Sequence, residues 1–187
     1  NKNYFKKKNF VNSSILKQYV NPIKKLNDSI YSKPNVMILV MESFGREYIG
    51  AFNKNRNISN YVSYTPFLDS LSKNSLIFTN AFANGRQSIE ALPSILASIP
   101  SFKVPFTSSP YSNQKIQSLV SVFKEKGYST SFFHGAPNGS MGFLGLSNIL
   151  GFDNYIGKNE FNDNSLYDGY WGIWDEPFLQ FVNEETT

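Results

Sequence analysis

Residues 35–43, NVMILVMES, restrict the fold more than any other stretch of the chain. An unbroken apolar run of strand length, with no alternation, is the pattern of a strand covered on both faces, and such strands belong to parallel sheets. Parallel neighbours need crossover connections, so a chain built around this run must also supply helices. The run closes on Glu42 and Ser43, followed by Gly45. A carboxylate therefore stands at the carboxyl end of a buried strand, where open α/β sheets place their ligands.

The rest of the sequence supplies the helices. TPFLDSLSKNS, 65–75, predicts a short helix with Thr65 as N-cap and Pro66 in the first helical position. LIFTNAFA, 76–83, predicts a second strand. After Ser88 the residues Ile89, Leu92, Leu96 and Ile99 fall on one helical face, interrupted by Pro93. Either that helix kinks at the proline, or Ser88 lies in a tight turn and regular helix starts nearer Leu92. Residues 113–127 predict a helix with Ile116, Leu119, Val120 and Phe123 inward, lysines in its last turn and Gly127 as its stop. A strand at 128–135, a glycine-interrupted helix at 140–152 and an amphipathic helix closing 168–185 complete the pattern. The alternation predicts an α/β fold, a largely parallel sheet flanked by helices.

Composition bounds the function. At 187 residues with 41% hydrophobic side chains, the chain has the length and apolar content of one folded domain. The aliphatic run VMILVM is far shorter than the roughly 20 residues that cross a bilayer. With no cysteine, disulfides and thiolate metal sites are excluded. The net charge of +4 is concentrated early, with seven lysines in the first 25 residues. Residues 1–33 are read as a basic leader before a globular part spanning 34–187. The leader is either a solvated segment or one lying near an anionic membrane surface. A nucleic-acid partner is not expected, because no aromatic-basic motif of the single-strand binding kind accompanies the charge.

Three polar residues follow predicted strands or open a predicted helix: Glu42, Ser88 and His134. Carboxylate and hydroxyl oxygens suit a hard divalent cation, and a cation on a serine hydroxyl lowers its pKa and makes it a nucleophile. Exposed N–H groups at the start of the helix favour a phosphate or sulfate, and Arg86 stands close enough in sequence to clamp its oxygens. Serine is also among the commonest helix caps, so spacing alone leaves Ser88 either a helix start or a nucleophile.

In order and spacing, NVMILVMES, PFLDSLSKNSLIFTNAFA, NGRQSIEALPSILAS and FFHG resemble the lipoteichoic acid synthase-like branch of the sulfatase and alkaline phosphatase superfamily. The resemblance covers residues 34 to about 182. It implies that Glu42 is a metal ligand and that Ser88 is both metal ligand and attacking group, where lipoteichoic acid synthases usually carry threonine. It places His134 at the substrate pocket and Arg86 beside the nucleophile. The implied cofactor is a divalent cation, manganese or magnesium with oxygen ligands, or zinc if histidines from a further part of the domain contribute. The implied reaction is transfer or hydrolysis of a phosphodiester through a covalent phosphoserine, on an anionic lipid or glycan headgroup of the cell envelope.

This sequence also departs from the pattern. Where lipoteichoic acid synthases carry an Asp, a Trp and an Arg that grip glycerol phosphate, it reads Ala136, Met141 and Phe143. SIEAL lacks the signature by which sulfatases mature their nucleophile to formylglycine, which places a sulfate-ester hydrolase second to a phosphotransferase. The downstream Asp-His pair that completes the metal site in relatives is absent from a chain with one histidine. The expectation is therefore an amino-terminal part of a longer, extracytoplasmic catalytic domain. Its partner would be the remaining half of that domain, and membrane spans would precede the leader. The rival expectation is a non-catalytic α/β module that binds an anionic glycan or membrane surface.

Overall fold

The computed structural model describes residues 14, 32–54, 56, 58–101 and 103–187. The chain divides into two units, Asn1–Met41 and Glu42–Thr187. Apart from Ser14, Ser32 and Lys33, the basic leader at 1–33 lies outside the described residues.

In the first unit, residues 32–41 form neither helix nor strand, and Val36 to Met41 are exposed. The strand predicted at 35–43 is not formed. A strand of this kind is stable only when neighbours take up its row of N–H and C=O groups and other layers cover its faces. Among the described residues no strand pairs with it.

The second unit begins with turns held by polar side chains. Two 3-10 turns, Arg46–Tyr48 and Gly50–Phe52, wrap around the buried Asn53. Its Nδ2 donates to the carbonyls of Arg46, Glu47 and Ile49 at 3.3, 2.9 and 2.9 Å. Helix α1, Pro66–Leu71, starts after Thr65 with Pro66 inside its first turn, as its sequence predicts. The Thr65 hydroxyl does not cap that helix; it accepts the N–H of Gly50 and donates to Asp69, whose carboxylate also accepts the N–H of Ala51 at 2.7 Å. The strand predicted at 76–83 is absent, and Leu76, Phe78 and Phe82 are exposed. The cause is the same: among the described residues no strand pairs with them.

The core begins at helix α2, Ser88–Ala97, which buries Ile89, Leu92 and Leu96. The helix runs through Pro93 without restarting at Leu92, and the proline itself is fully buried. Ser98 takes the left-handed conformation that ends the helix, and the N–H of Ile99 returns to the Pro93 carbonyl at 3.1 Å. Helix α3 spans Leu119–Glu125, a later start than the sequence predicts, because Ser118 and Ser121 form a reciprocal capping box there. Ile116 still packs against the core from the loop before the cap. Gly127, at φ +82, makes the predicted stop.

Strand β1, Ser131–Phe133, lies within the predicted strand. Helix α4, Phe143–Leu150, connects it to strand β2, Asn154–Ile156, which pairs with it in parallel, Phe132 opposite Tyr155. This βαβ unit holds the most deeply buried hydrophobic side chains among the described residues. Leu146 and Leu150 are sealed from solvent, and Phe132 stacks on Tyr155 with ring centroids 5.5 Å apart. Val120, Phe106 and Phe143 join the buried face of α2 in the same cluster. A short helix α5, Lys158–Phe161, and the final helix α6, Asp175–Thr186, meet through Phe161, Phe178 and Phe181. Among the described residues no helix is long and apolar enough to cross a membrane.

Candidate functional site

Ser88 is the first residue of α2, not its cap. The cap position belongs to Gln87, which is extended and whose carbonyl accepts the N–H groups of Glu90 and Ala91 at 3.0 and 3.1 Å. The Ser88 hydroxyl is thereby released from capping. It donates instead to the carboxylate of Glu42, 46 residues earlier in the chain. Glu42 is exposed and Ser88 half-buried. Immediately after Glu42 the chain turns through Ser43 in a left-handed conformation, φ 52. On the other side, burial of Ile89 and Leu92 fixes the helix that carries the serine. The N–H groups of Ser88 and Ile89 have no acceptor among the described residues, which leaves them and the positive end of the helix dipole open at the start of α2.

The turn before Ser88 is tight. The backbone N–H of Arg86 donates to Glu90 Oε2 at 2.8 Å, and that bond, followed by one from the Ser101 hydroxyl, holds the Glu90 carboxyl below its usual range. Gly85 is required here, since a Cβ at this position would lie 2.6 Å from Cβ of Glu90. The guanidinium of Arg86 is left on the surface side of this turn.

His134 lies just past the end of β1. Its N–H donates to the Ile156 carbonyl at 2.9 Å, Nδ1 is 3.2 Å from the Tyr155 hydroxyl, and its ring meets Phe143 edge-on at 4.7 Å. Burial pushes its pKa down and favours the neutral imidazole. No hydrogen bond joins it to Glu42 or Ser88. The positions at which the sequence departs from the resemblance behave as packing residues or turns: Ala136 and Phe143 are buried, and Met141 sits in a left-handed turn.

Of the four residues singled out by sequence, the structure joins Glu42 to Ser88, leaves Arg86 two residues before the serine, and anchors His134 among aromatic neighbours. The donor set of the joined pair, one carboxylate and one hydroxyl, fits a hard divalent cation. Among the described residues no group of three or more His, Cys, Asp or Glu side chains gathers there to complete a site. Sequence reasoning missed the supporting residues Asn53, Thr65 and Asp69. The TPFLD segment was legible as a helix start, but its hydrogen bonds to the turns after Glu42 are long-range.

Residues 34–186 match the sulfatase family model, and the chain belongs to that family. Two solved structures share its fold. One is a protein in the alkaline phosphatase superfamily from Vibrio parahaemolyticus, with TM-score 0.55 and 22% identity over 65% of this chain and 30% of that one. The other is the lipoteichoic acid synthase LtaP from Listeria monocytogenes, with TM-score 0.57 and 23% identity over 66% of this chain and 30% of that one. The chain thus spans about a third of the length of each neighbour. The expected fold class, a parallel sheet flanked by helices, and the expected superfamily both stand.

Proposed function

We propose that this chain carries the nucleophile of a metal-dependent phosphotransferase or phosphodiesterase, acting outside the cytoplasm on the anionic headgroup of an envelope lipid or glycan. The observation that carries the reading is the hydrogen bond from Ser88 to Glu42 at the start of α2. A surface serine held by a carboxylate from 46 residues away, with two open N–H groups beside it, is better explained by chemistry than by helix capping.

In the first half-reaction Ser88 Oγ attacks phosphorus. The Oγ–P bond forms as the bond from phosphorus to the leaving oxygen breaks, and the hydroxyl proton passes by way of Glu42 Oε2, its hydrogen-bond partner, to that leaving oxygen, which departs as the alcohol and leaves Glu42 a carboxylate. The N–H groups of Ser88 and Ile89 and the Arg86 guanidinium would stabilise charge on the non-bridging oxygens. In the second half-reaction a sugar hydroxyl or water attacks the phosphoserine, the O–P bond to Ser88 breaks, and the proton of the attacking hydroxyl passes by way of Glu42 to the departing Ser88 Oγ. Two inversions give net retention at phosphorus. Glu42 and Ser88 are the residues that would hold a divalent cation, magnesium or manganese by the hardness of their oxygens. Bound there, it would lower the hydroxyl pKa and neutralise phosphoryl charge.

In the full-length protein, Ser88→Ala is expected to lower turnover of a phosphodiester by about 10³-fold or more with folding unchanged. Undiminished turnover refutes the assignment. Manganese binding, followed by electron paramagnetic resonance, should weaken in Glu42→Gln independently of any activity.

A further inference from the structure

Asparagine followed by glycine is open to spontaneous loss of its side-chain amide, because glycine has no Cβ to keep its backbone nitrogen from reaching the asparagine Cγ. The chain carries two such pairs, Asn84–Gly85 and Asn138–Gly139, and one aspartate counterpart, Asp168–Gly169. The fold treats them differently. Asn138 is half-buried and fastened: its Nδ2 donates to the two Glu160 oxygens at 3.1 and 2.9 Å, and its Oδ1 accepts the Asn159 N–H at 3.3 Å. Asp168 is fastened too, with Oδ1 accepting the N–H groups of Tyr170, Trp171 and Gly172 at 2.8, 2.8 and 3.0 Å. These bonds, that of Tyr170 foremost, hold its carboxyl below the usual range, and an ionised carboxylate is a poor target for attack. Asn84 has no such restraint. It is exposed and outside helix and strand, and among the described residues no hydrogen bond engages its side chain or the N–H of Gly85.

We propose that Asn84–Gly85 is a modification site, at which Asn84 of the folded protein deamidates spontaneously to aspartate and isoaspartate. The Gly85 nitrogen attacks Asn84 Cγ, and the N–Cγ bond of a succinimide forms as the Cγ–Nδ2 bond breaks. The proton lost from the Gly85 nitrogen passes through solvent to Nδ2, which leaves as ammonia. Water then opens the ring. Cleavage at Cγ gives aspartate, cleavage at the Asn84 backbone carbonyl carbon gives isoaspartate, and in either case the Gly85 nitrogen regains a proton from that water. Both products put a negative charge two residues from Arg86. Isoaspartate also adds a carbon to the backbone of a turn so tight that a Cβ on Gly85 would stand 2.6 Å from Cβ of Glu90. Helix α2 begins three residues beyond Gly85, so the change is carried to Ser88. The chemistry at Asn84 is independent of what Ser88 does; only its consequence for turnover rests on the reading of Ser88 as nucleophile.

The test is incubation of the 187-residue chain in mildly alkaline buffer, folded and in urea, followed by peptide mapping with mass spectrometry. In the folded chain, deamidation at Asn84 is expected to outpace that at Asn138 by about tenfold or more, the factor set by breaking one charge-assisted hydrogen bond. In urea the two rates should converge, since both residues precede glycine. Equal rates in the folded chain, or a faster reaction at Asn138, overturn the proposal, and so does a rate at Asn84 that rises about tenfold or more on unfolding, the mark of a restrained side chain. The amide shifts of Ser88 and Ile89 should move in the aged chain and stay fixed in Asn84→Gln, whose longer side chain closes a ring far more slowly. Shifts that move equally in both proteins overturn the link to the helix start. In the full-length enzyme, turnover should fall in step with isoaspartate at residue 84 and persist in aged Asn84→Gln. A fully active Ser88→Ala would remove the nucleophile and leave the mapping result standing; a slow reaction at Asn84 would remove this site alone.

Discussion

Two regions of the second unit are held together by different forces. From Ser88 to Phe161 the chain is fastened by aliphatic and aromatic packing around Leu146, Leu150 and Phe132. From Glu42 to Asn74 it is fastened by side-chain hydrogen bonds to backbone, centred on Asn53, Thr65 and Asp69, while Tyr64, Phe67 and Leu71 are exposed. The candidate nucleophile stands on the first region and its carboxylate partner on the second. Packing therefore positions Ser88, whereas Glu42 depends on a network of polar turns.

Substitutions in each region should separate these forces. Leu146→Ala is expected to have the largest effect, about 3–5 kcal/mol by chemical denaturation, since it opens a cavity at a fully enclosed site. Hydrogen exchange throughout α2, including the amides after Ser88, should rise with it. Asn53→Ala should cost less, about 1–3 kcal/mol, by removing the buried side-chain donor shared by the carbonyls of Arg46, Glu47 and Ile49, of which Arg46 and Ile49 keep a backbone donor. Its exchange effect should be confined to residues 46–53. If it unprotects α2 as well, the two regions unfold as one and the contrast fails.

The smallest effect concerns pH. Burial lowers the pKa of His134, the one histidine in the chain, so the unfolded state binds its proton more readily. Unfolding then takes up a proton, and stability declines as pH falls below the ordinary histidine value of about 6.5 toward the lower folded-state value. Melting temperature measured between pH 7.5 and 5 should show this decline, and His134→Gln should flatten it. Parallel slopes in both proteins would show that the packed region does not penalise the imidazolium.

The same contrast explains what the sequence makes legible. Helices α1, α2, α4 and α6 are readable because a few apolar residues at helical spacing, or a proline in the first turn, decide them locally. Strand β2 and helix α5 are too short to carry a periodic signal. The runs at 35–43 and 76–83 have the composition of buried strands, but composition fixes only what a strand would need and not whether neighbours arrive. At the candidate site, Glu42 and Ser88 are legible as residue types in telling positions. That they touch is a long-range fact, whereas the helix cap is missed for a local reason, because Gln87 takes that position with its backbone alone and no side chain marks it.

One contact in the C-terminal part sets a rule for sequence change. The N–H of Ile173 donates to the carbonyl of Gly135 at 2.8 Å, and a Cβ on Gly172 would stand 2.8 Å from that same oxygen. On the other side of Gly135, a Cβ would press on the ring of Phe178 at 3.1 Å. Two backbones meet here with no side chain left to shorten, so a substitution at Gly172 has no compensating partner at Gly135. Descendants of this sequence can vary the exposed aromatics Tyr170 and Trp171 by single steps, whereas a change at the glycine seam would require the whole loop to be rebuilt.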